Sequence, residues 1–298
     1  MGCSPSRGRQ RSLMSSSETV ECFHSHLRGR RDTMEDRFVV NGRLHETYPF
    51  LKRWLPGGAG SRRRWGAFAV FDGHGGSEIS ELCAKRLLPN ILTESFVDDV
   101  DQAMENGFLA TDQEALEFSR NNSATSGAAV VVVFVLGSML FVGHCGDALA
   151  VLSRDGSAVL LTEPHTLAND TEALRVKRDG NYPGGQRLVH PIVDTMSLGL
   201  TRAIGDVSWK DPELTSAQPT GLIATPQTRQ EVIYDSVDEF ILVACDGLWD
   251  VFSPQEAVTA VKDRLQQGLR PQEVVDDLVT EALRLGSTDN ITLIMVML

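Results

Sequence analysis

Apolar residues gather in short dense runs along this chain, and between the runs lie stretches in which they recur at helical spacing. Phe68, Ala69, Val70 and Phe71 are unbroken and meet Asp72 and Gly73, the pattern of a strand buried on both faces that stops at a turn. AAVVVVFVL, residues 128–136, is β-branched and falls short of the ~20 apolar residues that cross a bilayer, so it reads as a central strand. It opens a predicted meander: a Gly137-Ser138 turn, residues 139–145, residues 148–154, an Asp155-Gly156 hairpin turn, and residues 157–161. These strands are expected to be antiparallel neighbours. Near the start, TVECFHSHL alternates like a strand and RFVV supplies a second ending near Val40; EFILVACD and the closing NITLIMVML add two more.

Helical spacing appears at Ile79, Leu82, Cys83, Leu87 and Leu88, and again over about 96–119. Ser253-Pro254-Gln255-Glu256 is a capping box with Pro at the first helical position, and another helix begins around Pro271. Residues 166–200, with Gly180, Pro183, Gly184, Gly185 and Pro191, read as a long surface loop of the kind that carries function. The order of strands and helices predicts a β-sandwich covered by helices.

With 298 residues, 42% of them hydrophobic, the chain can bury one large core or two small ones. Its net charge of -12 is uneven. Residues 1–31 hold six arginines against Glu18 and Glu21, which leaves a net of -16 beyond them. So acidic a body repels nucleic acid and attracts cations. Five cysteines form no CxxC pair, so neither a zinc site nor a disulfide framework is indicated, and a reducing compartment is the simpler reading. No secretory signal pattern opens the chain. MGCSPSRGRQR instead fits an acylation signal, with Gly2 exposed once Met1 is removed, Ser6 in the expected place and Cys3 as a second acyl site beside basic residues. Two acyl chains and arginines would hold residues 1–18, a basic and Ser-rich tail, on the cytoplasmic face of a membrane. The plainer alternative is an ordinary solvated tail.

Carboxylates stand where apolar runs stop or start: Asp72 after FAVF, Asp246 after ILVAC, and Asp289-Asn290 before ITLIMV. Glu35-Asp36 and Asp147 occupy similar settings. Any one Asp-Gly after a strand is usually just a turn. Together they put several acids at the edge of a core, which is costly without a compensating cation, and hard oxygen donors favour Mg²⁺ or Mn²⁺ over zinc.

At these residues the chain resembles the metal-dependent, type-2C protein serine/threonine phosphatases. The blocks GRRDTMED, FAVFDGHGG, VGHCGDALAVL, LTEPHT, LGLTRAIGDVSWK, LVACDGLWDV and STDNIT stand in that family's order and span about residues 19–298, taken as the catalytic domain. The resemblance implies an α+β fold, a four-layer α-β-β-α sandwich of two antiparallel sheets flanked by helices. It implies hydrolysis of phosphoserine and phosphothreonine in phosphoprotein substrates through direct attack of a water activated by two Mg²⁺ or Mn²⁺ ions; a monomer is expected, though nothing in the sequence marks the oligomeric state. By the same resemblance Asp72 bridges the two ions, Glu35 and the Gly73 carbonyl serve one, and Asp246 and Asp289 hold the other. His74 matches the general acid and Arg31 the phosphate-binding arginine. Asp147 and Asp250 match a weaker third metal site, and Asp36 and Asn290 match supporting positions.

Two departures stand out. Where the family has a threonine entering the long apolar strand, this chain has Ala128 or Ala129, and Thr125 or Ser126 would substitute only with a shift of register. Thr201 replaces a commoner serine. The first departure keeps open a second reading, a membrane-tethered pseudophosphatase that binds phosphoproteins without turnover. Cys22-FHSHL-Arg28 fits the C-x₅-R pattern of cysteine-dependent phosphatases, but its loop lacks the glycines that cradle phosphate. His24 and His26 read as two side chains on one strand face.

Overall fold

The computed structural model describes residues 19–53, 64–179 and 185–298. The acylation signal at Gly2 and Cys3, the Ser-rich stretch, and Gly180, Pro183 and Gly184 of the loop predicted over 166–200 lie outside these residues. In chain order the strands begin with β1 (Cys22–Leu27), β2 (Arg37–Asn41), β3 (Trp65–His74), β4 (Gly127–Leu136), β5 (Met139–Cys145), β6 (Leu149–Arg154) and β7 (Ser157–Leu160). They continue with β8 (Leu188–Val189), β9 (Ser197–Leu198), β10 (Ile204–Gly205), β11 (Gln227–Val232), β12 (Asp238–Ala244) and β13 (Ile291–Met297). The helices are α1 (Leu44–Thr47), α2 (Glu78–Ile91), α3 (Val100–Asn122), α4 (Asp170–Arg178), α5 (Val207–Lys210), α6 (Asp246–Trp249), α7 (Pro254–Gln266) and α8 (Pro271–Leu285).

Two antiparallel sheets carry the molecule: β1-β13-β12-β6-β7, and β11-β5-β4-β3-β2 with β10 added to β4. Alternation along each strand sorts side chains into layers. Phe68, Val70, Val131 and Val133 face Leu152, Ile241, Val243 and Ile294 between the sheets. The residues between them, Ala69, Phe71, Val130 and Val132, turn outward under Leu87, Ile91, Met104 and Phe108 of α2 and α3. On the other side Leu242, Ala244, Leu293 and Met295 pack under Val258, Val261, Val275 and Leu278 of α7 and α8. Each of the larger side chains taken from water contributes about 1.5–3 kcal/mol, which is why both faces of these central strands read as continuous apolar runs. The result is the expected α-β-β-α sandwich.

Local signals hold where they are strong. The Ser253 hydroxyl accepts from Glu256 N and the Glu256 carboxylate accepts from Ser253 N, so α7 starts at the predicted box. Three expectations are corrected. The strand of Phe68 to Phe71 does not stop at Gly73: β3 stays paired with β4 through Asp72↔Ala129, Gly73↔Ala128 and His74↔Gly127. The meander is not one run of neighbours, because β5 pairs with β4 and β11 while β6 pairs with β12 and β7. The chain crosses between sheets at Gly146, whose φ of +121° suits a glycine. Residues 166–200 are not all loop: Asn169 caps α4, and β8 and β9 form a hairpin. Only a small apolar cluster, including Val176, Leu188 and Leu200, seats this segment, so its sequence shows weak periodicity.

Candidate metal centre and active-site cleft

Four carboxylates meet at the strand ends of both sheets. Asp36 precedes β2, Asp72 ends the apolar part of β3, Asp147 lies in the crossing from β5 to β6, and Asp246 follows β12 as the first residue of α6. Oxygens of Asp72, Asp147 and Asp246 lie within 4.8 Å of one another, as do ligand atoms of Asp36, Asp72 and Cys245. Burial, and then Asp246, Asp36, Asp147 and Asp289, push the Asp72 carboxyl well above the usual range. Burial likewise pushes Asp246 up to about 8, with Asp147, Asp289 and Asp250 adding repulsion. Asp147 is raised by burial, as is Asp36, whose Oδ2 accepts from Thr292 Oγ1 at 2.7 Å.

This is the signature of negative charge gathered without its counter-charge. Asp246 Oδ1 is buried with no hydrogen-bond partner, the state of a donor atom shaped for a cation. The donor set is hard oxygen, which fits Mg²⁺ or Mn²⁺. Cys245 does not alter that match. Its thiol is raised by burial and then by Asp36, Asp72 and Asp246, and its sulfur already accepts from Thr292 N at 3.1 Å.

The remaining predicted residues fall around this cluster. Glu35 lies outside both groups, its carboxylate accepting from Gly76 N at 3.0 Å and Thr33 Oγ1 at 2.7 Å. Gly73 is where the Glu35 backbone crosses: a Cβ there would sit 2.4 Å from the Glu35 carbonyl oxygen. Asp289 forms an ion pair with Arg31, whose side chain is 56% exposed and so free to turn toward a ligand. Asn290 is a clamp: its Oδ1 accepts from Glu35 N at 2.7 Å, and its Nδ2 donates to the carbonyls of Arg28 and Thr33. Asp250 closes α6, and burial and Asp289 raise its carboxyl.

A cleft of about 220 Å³ opens over the cluster, lined by Arg31, Asp72, His74, Asp147, Asp246 and Asp289 together with Arg187 and Leu198 to Leu200. Two larger grooves, of about 540 and 630 Å³, lie away from these acids. Ala129 lines the cleft where a threonine was looked for, and Ala128 faces the core under α2. The β3–β4 ladder runs unbroken to Gly127, so no register shift brings in another hydroxyl; Ser126 Oγ donates to Glu78 instead. Gly146 packs so closely that a Cβ on it would lie 2.3 Å from that of Ala129. His165 braces the same crossing by accepting from Gly146 N through Nδ1 and stacks on His144, which burial pushes down to about 4.

His74 Nε2 lies 2.9 Å from both carboxylate oxygens of Asp206. Burial alone would lower this imidazole, but Asp206, Asp147 and Glu35 outweigh it and hold it above the ordinary value. Asp206 sits within the quoted LTRAIGD block yet carried no assignment from sequence. Arg187 had no signal at all, lying next to a Gly- and Pro-rich stretch. Cys22 is a half-buried residue of β1 whose thiol is raised by burial and by Glu21, unlike a nucleophile. His24 and His26 both pack on Phe38, as two side chains of one face.

Fold and site together define a two-sheet protein built around an acidic cation centre. The chain matches the family model described as Protein phosphatase 2C over residues 20–291, and it belongs to that family. Protein phosphatase 1B of Homo sapiens is 32% identical over 249 residues, covering 78% of this chain and 50% of that protein. Probable protein phosphatase 2C 71 of Arabidopsis thaliana is 34% identical over 234 residues, covering 78% of this chain and 48% of that one. The chain thus spans about half the length of these curated relatives. Among solved structures, serine-threonine phosphatase 2C from Toxoplasma gondii shares the fold with a TM-score of 0.68 at 23% identity, covering 94% of this chain and 95% of that one.

Proposed function

We propose that this protein is a metal-dependent protein serine/threonine phosphatase that hydrolyses phosphoserine and phosphothreonine directly, without a phosphoenzyme. The observation that carries this reading is the half-buried cluster of Asp72, Asp147 and Asp246, with one buried, unpartnered oxygen on Asp246, facing a cleft that also holds Arg31 and His74. Asp72, the Gly73 carbonyl, Glu35, Asp246 and Asp289 would hold two Mg²⁺ or Mn²⁺ ions, and Asp147 with Asp250 a weaker third. Bound there, such ions supply a water acidic enough to attack phosphorus at neutral pH and offset charge on the phosphoryl oxygens.

The chain's own groups do the rest. Asp36, fixed by Thr292 Oγ1, is placed to orient water at the cluster. Arg31 can exchange its contact with Asp289 for a planar two-point grip on the phosphoryl group, which fixes the substrate in the cleft. His74 holds a proton for the departing seryl or threonyl oxygen, a poor leaving group without it.

Phosphate release from a phosphothreonine peptide in Mn²⁺, Mg²⁺ or EDTA tests this. Release should require metal, fall roughly 100-fold or more in Asp72→Asn, and be unchanged in Cys22→Ser. No release from folded protein in any metal would favour the pseudophosphatase reading, to which Ala129 in the cleft lends its support.

The amino-terminal signal adds a location to this reading: acylation at Gly2 and Cys3 tethers the enzyme to a membrane surface. Among the described residues no helix is long and apolar enough to cross a membrane. Gly2→Ala is expected to move the protein from the membrane to the soluble fraction of cells. Equal membrane retention of parent and variant would refute the tether.

A further inference from the structure

Asp206 is held in an unusual place. It is a buried carboxylate, 4% exposed at its side chain, and its backbone is left-handed with φ +57° and ψ 52°. Strain of this kind persists where the surroundings over-determine the backbone, and here they do so from several directions. Asp206 N donates to the Ser126 carbonyl at 3.1 Å, and its own carbonyl accepts from Trp209 N at 2.8 Å. The preceding β10 pairs with the start of β4, and Gly205 N donates to Asp112, which also takes Lys210 Nζ at 2.6 Å. All of this aims one carboxylate at one atom, Nε2 of His74, which both oxygens reach at 2.9 Å.

The space between the two is made by a glycine. A Cβ at Gly127 would lie 2.1 Å from Asp206 Oδ2 and 2.6 Å from His74 Nε2. No side chain fits there while the contact exists. Gly127 is also the ladder partner of His74, so the backbone of β4 fixes the register of the pair.

We propose that Asp206 is a positioning residue: its carboxylate accepts the Nε2–H of His74 and fixes the imidazole plane, in room that Gly127 leaves open. Which ring nitrogen serves a reaction is set by the bond the other makes. With Nε2–H committed to Asp206, Nδ1 is the nitrogen left for substrate. As the phosphorus–oxygen bond breaks, its electron pair stays on the seryl or threonyl oxygen, that oxygen takes the proton from Nδ1, and Nε2–H remains on Asp206. This inference rests on the reading of His74 as proton donor given above.

The test uses the full chain and three variants. Asp206→Gly removes the carboxylate at a φ that glycine adopts freely; Gly127→Ala keeps it but wedges the pair apart; His74→Ala removes the ring. Each is assayed with Mn²⁺ on a phosphothreonine peptide, whose leaving oxygen needs a proton, and on p-nitrophenyl phosphate, whose leaving group does not. Proton NMR of metal-free protein separately detects the slowly exchanging imidazole N–H of His74, identified as the resonance that His74→Ala removes while those of the buried His144 and His190 remain. Asp206→Gly and Gly127→Ala are expected to lower the peptide-to-nitrophenyl ratio of kcat by roughly 10–100-fold, as His74→Ala does, with little change in KM. All three should lose the imidazole signal.

A His74 signal that survives in Asp206→Gly overturns the proposal. So does a ratio that moves in His74→Ala alone. If His74→Ala leaves the ratio unchanged, the proton-donor reading fails, and loss of the signal in Asp206→Gly still establishes that Asp206 orients the ring.

Discussion

Asp246 carries the energetic cost of the centre most openly. One of its oxygens is buried without a partner, and its carboxyl is pushed up to about 8, first by burial and then by Asp147 and Asp289. A carboxyl whose folded value exceeds its unfolded one adds stability below the unfolded value and loses it as pH rises through the folded one. Metal-free protein should therefore lose stability from about pH 4 to pH 8. Asp246→Asn cannot ionise, so in EDTA it should be more stable than the parent at pH 8 by roughly 2–4 kcal/mol, with little difference near pH 4. Added Mn²⁺ should reverse the order, because only the parent keeps the full donor set. Urea unfolding at the two pH values checks this, and an equal pH slope in both proteins would contradict it. At this scale Asp72, Asp147 and Asp246 were legible as acids beside apolar runs. Asp206 and Arg187 were not, since nothing local marks a residue whose partner comes from a distant strand.

The elements differ in how plainly they were written. β4, β12 and β13 are buried on both faces, so their runs announce them, and α7 and α8 carry amphipathic spacing behind Pro at the first turn. α4 lacks an apolar signature in the sequence because polar contacts hold it. Glu172, 2% exposed, pairs with Arg175 and Arg202, and Thr201 Oγ1 donates to it at 2.6 Å. These arginines also donate to the carbonyls of Gly221 and Thr225, so every arm of the network is used. Burial opposes the charge on Glu172, yet Arg202, Arg175 and Thr201 hold its carboxyl well below the usual range. Glu172→Ala leaves two guanidinium groups without their shared partner and should cost about 3–5 kcal/mol. Amide exchange is the direct readout. Protection across residues 170–178 should fall in the variant while that of β4 and β13 persists, and unchanged protection would show that α4 does not depend on this network. The crossing from β5 to β6 teaches the same lesson: both strands were visible, but not that they belong to different sheets.

At the scale of the whole molecule, the sandwich turns one acidic chain into a cation site. The contact of Asp246 N with Asp72 Oδ2 joins residues 174 positions apart, one near the end of β3 and the other just after β12 of the opposite sheet. Packing the sheets face to face brings their strand ends into register, and the excess negative charge of the body draws cations toward them. The sequence alone determined the alternation that makes two covered sheets, the capped helices, the acids at strand ends and the likeness to a family. Those features are local, or are sums of local features, and periodicity and turn chemistry encode them. Tertiary structure alone decided which acids meet, that Asn290 ties the Glu35, Arg28 and Thr33 backbone together, that no hydroxyl replaces the missing threonine, and that Asp206 reaches His74 through the space at Gly127. Each of these depends on the close approach of segments far apart in the chain, and close packing sets such distances to within an ångström.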